Sequence, residues 1–246
     1  ADYIFTGDND LEIMTRSMQI NLNVIDAVRA YNVPRIFYSS SACVYSEDKQ
    51  LDKNNIDCRE SAAYPANPDS EYGWEKLFAE RLYQNLHKHT NTQVRIARFH
   101  NIFGPSSEYD SGREKAPAAL CRKVALCPNG GSIDVYGSGE QVRSFMFISD
   151  CLDCVEDLML SGYSAPVNIG SDFTISINDL AKKIIAISGK SITINNIDVP
   201  QTGVVARTSD NKLFDRMVGT PRKVGLPDGL EKLYRWVDTQ VNGFTS

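Results

Sequence analysis

The order of apolar patterns along the first hundred residues constrains the fold more than any other feature of the sequence. A helix-period segment runs from Leu11 to Tyr31 and is followed by strand-like alternation from Arg35 to Ser39. A second helix is predicted from Ser70 to His87, with Asp69 as its cap, and QVRIARF (93–99) predicts the next strand. Strands and helices that alternate in this way predict an α/β fold with a doubly wound parallel sheet of the Rossmann type.

The pattern after Pro105 predicts shorter elements that belong to a smaller second unit. A loop rich in glycine, serine and charged residues reaches Pro117, which suits the first turn of a helix. The helices predicted in this part cover 118–126, 149–160, 176–188 and 229–241, and the strands cover 132–137, 143–148, 166–170 and 191–195.

Composition excludes several classes of partner. The 246 residues carry a net charge of −5 without any block of like charges, so nothing indicates a nucleic acid or an anionic membrane surface. No apolar stretch approaches the roughly 18 residues that a membrane span needs. The six cysteines are irregularly spaced, which is typical of reduced thiols in a cytoplasmic protein. Cys151 and Cys154 form a CxxC pattern, but they fall in a helical segment. We expect buried or half-buried helix positions there, and no metal site.

Two tyrosines precede a lysine by four residues, a spacing that places both side chains on one face of a helix. The pairs are Tyr45 with Lys49 and Tyr72 with Lys76. An ammonium group beside a phenol stabilises the phenolate, so that the tyrosine can act as a base. Tyr45 lies in a polar segment after a strand, whereas Tyr72 lies in the first turns of a predicted helix. We therefore assign the chemistry to Tyr72 and Lys76. An ordinary pair on a helix surface is the alternative.

Three serines and a cysteine follow the first predicted strand, in the stretch YSSSACVY (38–45). Ligands of open α/β sheets bind beyond the carboxyl ends of the strands, and Ser39, Ser40 and Ser41 occupy such an end. Their hydroxyl groups could hydrogen-bond both a tyrosine and a substrate hydroxyl. A plain polar turn and an inert buried Cys43 are the alternatives.

A group of basic residues surrounds the start of the helix at 118–126. Its members are Arg113, Lys115, Arg122 and Lys123, with Arg143 further along the chain. A diphosphate is bound by such charges together with helix N-terminal amides. Most charge clusters are solvated faces, but a helix start just past a sheet-end turn favours a binding role here.

Several motifs together resemble the extended short-chain dehydrogenases/reductases that act on nucleotide sugars. They are YSSSACVY, YGWEK (72–76), RFHNIFGP (98–105) and QVRSFMFISD (141–150). Within that family, SSACVY (40–45), GREKAPAALCRK (112–123) and VNIGSD (167–172) are similar to the GDP-mannose 3,5-epimerases. The resemblance covers nearly the whole chain, and GREKAPAA is its most specific part.

The resemblance implies a cofactor, a substrate and roles for individual residues. In this family a tightly held NAD oxidises the sugar at C4, and the resulting ketone acidifies the C–H bonds at C3 and C5. A base on one face of the sugar then removes a proton and an acid on the opposite face returns one, which inverts the carbon centre. The implied catalytic residues are Tyr72, Lys76, Ser41, Cys43 as base and Lys115 as acid. The implied contacts to a GDP-sugar are Ser41, Ala42, Cys43, Asn101, Glu114, Lys115, Ala116, Lys123, Gln141, Val142, Arg143 and Arg207, and those to NAD are Ser39, Tyr72 and Lys76.

The resemblance also implies a division of the chain and a partner. Residues 1–105 and 146–172 would form the remainder of an NAD-binding Rossmann domain, and residues 106–145 and 173–246 a substrate domain. Family members commonly dimerise through the helices predicted at 11–31 and 70–87, so a homodimer of the full-length parent is expected.

Two other functions stay open. One is a 4-epimerase, dehydratase or decarboxylase that acts on another nucleotide sugar, although dehydratases usually present acidic residues where this chain has Ala42 and Cys43. Relatives usually carry a second arginine two residues before the position of Arg207, where this chain has Val205. This difference leaves the affinity for the diphosphate, and with it the identity of the nucleotide sugar, open. The other is a module that binds sugar nucleotides without hydride transfer.

The glycine-rich dinucleotide fingerprint of the family is not found in these residues. Its nearest counterpart, Gly137-Ser138-Gly139, lies far downstream and lacks the third glycine. The carboxylate expected to hold the adenosine ribose has no counterpart either. We therefore expect this chain to be the carboxyl-terminal portion of a longer protein, and to bind NAD poorly on its own.

Overall fold

A computed structural model describes residue 4 and residues 6–198, 204–219 and 221–243 of the chain. The helices are α1 (Asp10–Ala30), α2 (Glu71–His89), α3 (Ala116–Leu126), α4 (Ile148–Leu160), α5 (Ile177–Ser188), α6 (Lys212–Met217) and α7 (Leu226–Asn242). The strands are β1 (Arg35–Ser41), β2 (Gln93–Phe99), β3 (Ile102–Phe103), β4 (Ser132–Tyr136), β5 (Val142–Ser144), β6 (Met146–Phe147), β7 (Val167–Ile169), β8 (Thr174–Ser176), β9 (Thr193–Ile197) and β10 (Ala206–Arg207). The segment between β1 and α2 contains short 3₁₀ turns at Ala42–Val44, Glu47–Gln50 and Glu60–Ala63.

The central sheet has the order β1-β2-β7, and both of its strand pairs are parallel. Residues 94–98 of β2 are all buried, as expected for a strand that is covered on both faces. Helices α1 and α2 pack against each other, and α2 packs on β1 and β2. The predicted α/β fold with a parallel sheet is therefore confirmed.

The second half of the chain packs around helices α3, α5 and α7. Their buried residues include Val124, Leu180, Ile184, Leu230 and Leu233, which form one continuous apolar cluster. Three small sheets surround this cluster, with the orders β10-β5-β8, β3-β6 and β4-β9.

Some predicted boundaries are wrong, for identifiable reasons. The single strand expected at 143–148 is two strands, because β5 pairs with β8 and β10 whereas β6 pairs with β3. Asp69 does not cap α2. The Ser70 hydroxyl does so by accepting a hydrogen bond from the Gly73 amide, while the Asp69 carboxylate pairs with Arg207.

The CxxC cysteines occupy the helix positions that were predicted for them. Cys151 and Cys154 are 4% and 0% exposed on α4, in a cluster that includes Leu158 and Ile169. Within the described ranges, no helix has the length and apolarity required to cross a bilayer.

The side chain of Asn168 joins distant parts of the chain beneath the end of the central sheet. Its Oδ1 accepts hydrogen bonds from the Tyr45 hydroxyl and from His100 Nε2. Its Nδ2 donates to the backbone carbonyls of Cys58 and Asp210 at 2.8 and 2.9 Å. Asn168 is fully buried, so each of these bonds replaces one that water can no longer make.

Substitution of Asn168 by alanine should destabilise the fold strongly. It would leave several buried groups without partners, so we expect a loss of about 3 kcal/mol or more in the free energy of unfolding. Urea denaturation followed by circular dichroism measures this loss. The matched control is Asn85→Ala on α2, where the exposed amide bonds only its own helix and the change should stay within about 0.5 kcal/mol. Equal effects of the two substitutions would contradict this role of Asn168.

Candidate active site

The end of β1 presents Cys43 to its surroundings. The Ser41 hydroxyl accepts a hydrogen bond from the Cys43 amide at 3.2 Å and thereby caps the short 3₁₀ turn Ala42–Val44. Ala42 and Val44 point into the core, whereas Cys43 remains partly exposed. The turn therefore leaves the Cys43 thiol partly exposed between two buried side chains.

A close backbone contact brings α2 against this turn. A Cβ atom added to Gly73 would lie 2.2 Å from the carbonyl oxygen of Cys43 and 2.8 Å from Cβ of Pro68. Only glycine permits this approach. Since Tyr72 precedes Gly73, the same contact places Tyr72 beside Ser41.

The acidity of Tyr72 differs from the expectation drawn from its spacing to Lys76. Burial, with a smaller contribution from nearby Cys43, raises the pKa of Tyr72 to about 12, while Ser41 opposes this rise. Lys76 lies over the face of the ring, with Nζ 5.6 Å from the centroid. The pKa of Tyr72 is therefore raised rather than lowered, because desolvation disfavours the phenolate.

Lys76 lies at the exposed edge of the same region. Its ammonium donates to the Ser39 carbonyl at 3.3 Å, and the side chain is half-buried. Burial lowers the pKa of Lys76, whereas Glu75 and Cys43 raise it.

Arg207 contacts the thiol directly, although it follows Cys43 by 164 residues. Its Nη1 donates to Cys43 Sγ at 3.2 Å, its Nη2 to Asp69 Oδ2 at 2.6 Å and its Nε to Gln50 at 2.6 Å. A permanent positive charge therefore lies in contact with the sulfur. Arg207 was expected to contact a phosphate. It would have to release one of these partners to do so.

Arg143 lies next to Arg207, because β5 and β10 pair in parallel at these two residues. Its guanidinium donates to the carbonyls of Val204 and Val205 at 2.8 and 3.2 Å. Burial, with a smaller contribution from Arg207, lowers the pKa of Arg143 to about 10 against the opposite effects of Asp69 and Cys43. Two adjacent guanidinium groups make this edge of the sheet favourable for an anion.

Lys115 occupies the position just before α3, and Ala116 is the first residue of that helix. The residue is exposed overall, yet protein atoms around its ammonium group lower the pKa of Lys115 by desolvation. Cys43 opposes this effect and raises the pKa of Lys115.

Two of the expected sugar-binding residues carry polar atoms without a partner. Glu114 Oε2 and Gln141 Oε1 are buried and make no hydrogen bond within the described part of the chain. Buried polar atoms are normally paired, so each of these oxygens is available to a ligand donor.

The remaining expected contacts have different surroundings. Asn101 donates to the Ser144 carbonyl at 3.1 Å. Lys123 donates to the Asp134 carbonyl at 2.6 Å, and its ammonium lies 4.6 Å from the centroid of the Tyr136 ring. Val142 faces away from Arg143 across β5. It lines a shallow depression of about 610 Å³ instead.

Several residues of this region were not predicted as site residues. Asp69 and Gln50 hold Arg207 through contacts between distant segments, for which the sequence carries no local signal. Tyr136, which is 65% exposed beside Lys123, could have been noticed as an aromatic residue just before the Gly137 turn.

Tyr45, from the alternative tyrosine–lysine pair, and His100 lie in the protein interior rather than in the candidate site. Tyr45 is fully buried, and its hydroxyl bonds Asn168 rather than pointing into the site. His100 is also fully buried, and burial lowers its pKa to about 3, so it stays neutral. No cluster of metal-binding side chains occurs within the described ranges.

The comparison with protein families agrees with this arrangement. A model described as the NAD dependent epimerase/dehydratase family matches residues 4–170. The chain belongs to this family.

Relatives within the family share sequence over most of the chain. It is 40% identical over 237 residues to GDP-mannose 3,5-epimerase of Arabidopsis thaliana, covering 96% of this chain and 62% of that protein. It is 31% identical over 168 residues to UDP-glucuronic acid decarboxylase 1 of Xenopus tropicalis, covering 68% of this chain and 39% of that protein. The chain thus spans less than two thirds of the length of these relatives.

Solved structures share the fold at lower identity. UDP-glucuronic acid 4-epimerase from Bacillus cereus, in complex with NAD, matches with a TM-score of 0.78 and 22% identity, covering 98% of this chain and 71% of that chain. A GDP-6-OMe-4-keto-L-xylo-heptose reductase from C. jejuni matches with a TM-score of 0.83 and 19% identity, covering 94% of this chain and 78% of that chain.

Substitution of Gly73 by alanine should force α2 away from the turn that carries Cys43. The clash is with a backbone oxygen, which cannot rotate aside, so we expect a loss of about 2 kcal/mol or more in unfolding free energy. Urea denaturation measures it. Gly162→Ala is the matched control, because a Cβ there meets no atom within 4 Å. A neutral Gly73→Ala variant would show that the contact is not tight.

Substitution of Arg207 by glutamine should slow the alkylation of Cys43, because the positive charge in contact with the sulfur is lost. The reaction with iodoacetamide at pH 7.5, followed by peptide mass spectrometry, gives the rate, and we expect about a fivefold decrease or more. Asp69→Asn is the matched control, since it breaks the same ion pair but keeps the guanidinium charge. It should leave the rate unchanged or raise it. A decrease in both variants would mean that lost stability, not lost charge, governs the thiol.

Proposed function

We propose that the whole protein is an NAD-dependent nucleotide-sugar epimerase, and specifically a GDP-mannose 3,5-epimerase. The observation that carries this proposal is the partly exposed Cys43 thiol, which Arg207 contacts at 3.2 Å at the strand end where Tyr72 lies. A 4-epimerase inverts C4 with the hydride-transfer groups alone, whereas inversion at C3 or C5 proceeds by proton exchange and needs an additional base and acid. The 40% identity to the Arabidopsis thaliana enzyme supports the same reading.

The residues of this chain suit the nicotinamide side of NAD. Lys76 makes one hydrogen bond within the described residues, to the Ser39 carbonyl, so two of its three N–H donors remain for ribose hydroxyls. Tyr72 and the exposed Ser39 would complete this set of donors, within the cofactor domain proposed at residues 1–105 and 146–172. When bound, NAD supplies reversible removal of hydride from C4 of the sugar.

Tyr72 and Ser41 would handle the hydroxyl proton at C4. Burial raises the pKa of Tyr72, which favours the phenol, and with Ser41 beside it the two hydroxyls could relay a proton to and from the sugar oxygen. The positive charge of Lys76 at the ring face favours any phenolate that forms during this exchange.

Cys43 and Lys115 would exchange the protons at C3 and C5. Cys43 would act as the base toward a C–H bond next to the ketone, with the Arg207 guanidinium in contact with its sulfur. Desolvation lowers the pKa of Lys115, which brings an amine closer to the range in which it can donate a proton at neutral pH.

The substrate would lie along the edge formed by β5 and the start of α3. Arg143 is suited to the diphosphate, and the unpaired oxygens of Glu114 and Gln141 to sugar hydroxyl groups. These residues belong to the substrate domain proposed at 106–145 and 173–246.

We also propose a homodimer of the whole protein. Helices α1 and α2 pack together and leave Ile20, Trp74 and Phe78 exposed by 62%, 40% and 45%. Apolar side chains exposed on neighbouring helices are typical of an interface between subunits.

Substitution of Cys43 or Lys115 by alanine in the whole protein should abolish the exchange of solvent deuterium into C3 and C5 of GDP-mannose. Each variant removes one of the two proton carriers, and we expect a decrease of about a hundredfold or more. Mass spectrometry and proton NMR of the recovered sugar nucleotide measure the exchange.

Matched controls are Cys127→Ala and Lys88→Ala, which change the same residue types away from the site and should exchange at the wild-type rate. Persistent exchange in both Cys43→Ala and Lys115→Ala would refute the 3,5-epimerase proposal. Inversion at C4 alone, observed with a panel of nucleotide sugars, would indicate a 4-epimerase instead.

A further inference from the structure

The ammonium group of Lys76 is held by two consecutive residues of β1. Its Nζ donates to the backbone carbonyl of Ser39 at 3.3 Å and lies 5.0 Å from the centroid of the Tyr38 ring. The Tyr72 ring is slightly further away, at 5.6 Å. A lysine cation over an aromatic face at such distances gains electrostatic attraction from the ring, and desolvation strengthens this attraction.

The Tyr38 ring is itself fixed from below. Tyr38 is 6% exposed, and its ring stacks on Tyr83 with centroids 4.5 Å apart and planes 26° apart. Tyr38 comes from the sheet and Tyr83 from α2, so the stack also joins these two elements. Stacking of this kind stabilises the pair beyond the burial of area.

Tyr83 is in turn anchored by a buried polar pair. Its hydroxyl donates to Asn21 Oδ1 at 3.2 Å, and Asn21 Nδ2 donates to Glu75 Oε1 at 2.7 Å. Asn21 and Glu75 are 6% and 1% exposed, so they would be costly to bury without each other. Glu75 directly precedes Lys76 on α2, so this series of contacts begins and ends at neighbouring residues of the same helix.

We propose that Tyr38 is a positioning residue whose ring holds the ammonium of Lys76 beside Tyr72. A free lysine side chain samples many rotamers, and the loss of that freedom opposes its fixed placement. The braced ring and the Ser39 carbonyl offset this cost before any ligand binds. The consequence for catalysis rests on the proposed function, whereas the placement of the ammonium does not.

Several titratable groups face this ammonium. They are Glu75 and Tyr72 on α2, Tyr38 on β1 and Cys43 on the turn after β1. Burial lowers the pKa of Lys76 and the two acidic neighbours, Glu75 and Cys43, raise it. The Tyr38 hydroxyl has no hydrogen-bond partner in the described part of the chain, so the ring, not the hydroxyl, is the functional part.

The placement is tested by NMR on this chain. Reductive methylation with ¹³C-formaldehyde gives each lysine a dimethylamino signal, and Lys76→Arg identifies the signal of residue 76. A ring held under the ammonium shifts that signal upfield of the signals of exposed lysines such as Lys88 and Lys182. The shift should persist in Tyr38→Phe and Tyr72→Met, and it should be lost in Tyr38→Met.

Two results would overturn the placement. One is the absence of an upfield shift in the folded wild-type chain, which is decisive even if Tyr38→Met does not fold. The other is a folded Tyr38→Met variant, checked by circular dichroism, in which the shift is unchanged.

The consequence for catalysis is tested in the whole protein. We expect Tyr38→Met to lower kcat about tenfold, equivalent to about 1.4 kcal/mol, with KM changed less than about twofold. The conservative Tyr38→Phe should recover most of that loss. A wild-type kcat in Tyr38→Met would refute the positioning role. A wild-type protein without epimerase activity would refute the proposed function instead, and the NMR result would still decide whether the ring holds the ammonium.

Discussion

The hydrogen bonds of one buried amide, Asn168, underlie the geometry of the whole region. Asn168 sits on β7, the strand added to the side of β2 opposite β1, and its side chain ties Tyr45, His100 and the carbonyls of two loops to one point. Its backbone amide also donates to Glu60 at 3.0 Å. The segment between β1 and α2 has little regular structure, so these bonds largely determine where it lies. The turn that displays Cys43 is the beginning of that segment.

A buried ion pair between β2 and α2 helps to position the two ends of the segment between β1 and α2. The Arg98 guanidinium on β2 binds both carboxylate oxygens of Glu80, at 2.8 and 2.7 Å, and both side chains are almost completely buried. The Ser40 hydroxyl donates to the same carboxylate at 2.6 Å, so β1, β2 and α2 meet at Glu80. Such a pair contributes little net stability compared with apolar packing, but the loss of one partner costs several kcal/mol. It therefore fixes the relative positions of the strand end and the helix that carry the candidate site.

The sequence predicted what depends on local patterns. The long helices α1 and α2 and the strands β1 and β2 have strong periodicity, and their predicted bounds agree with the structure within about two residues. The two-residue strands β3 and β10 have no periodicity to read, and the sequence analysis missed them. The cap of α2 was misassigned for a related reason, because Asp69 is engaged by Arg207 from a segment far along the chain. The assembly of the site could be anticipated only through family resemblance. The contact between Gly73 and Cys43, the partners of Arg207 and the stacking under Lys76 are tertiary interactions without a local signal.

The contact between Arg207 and Cys43 has a consequence for how the protein is made. A ribosome completes the cysteine 164 residues before it reaches the arginine. Throughout that interval the nascent chain carries the sulfur without the guanidinium that contacts it in the folded structure. The contact therefore forms only after the strand that bears the arginine has been synthesised and has docked.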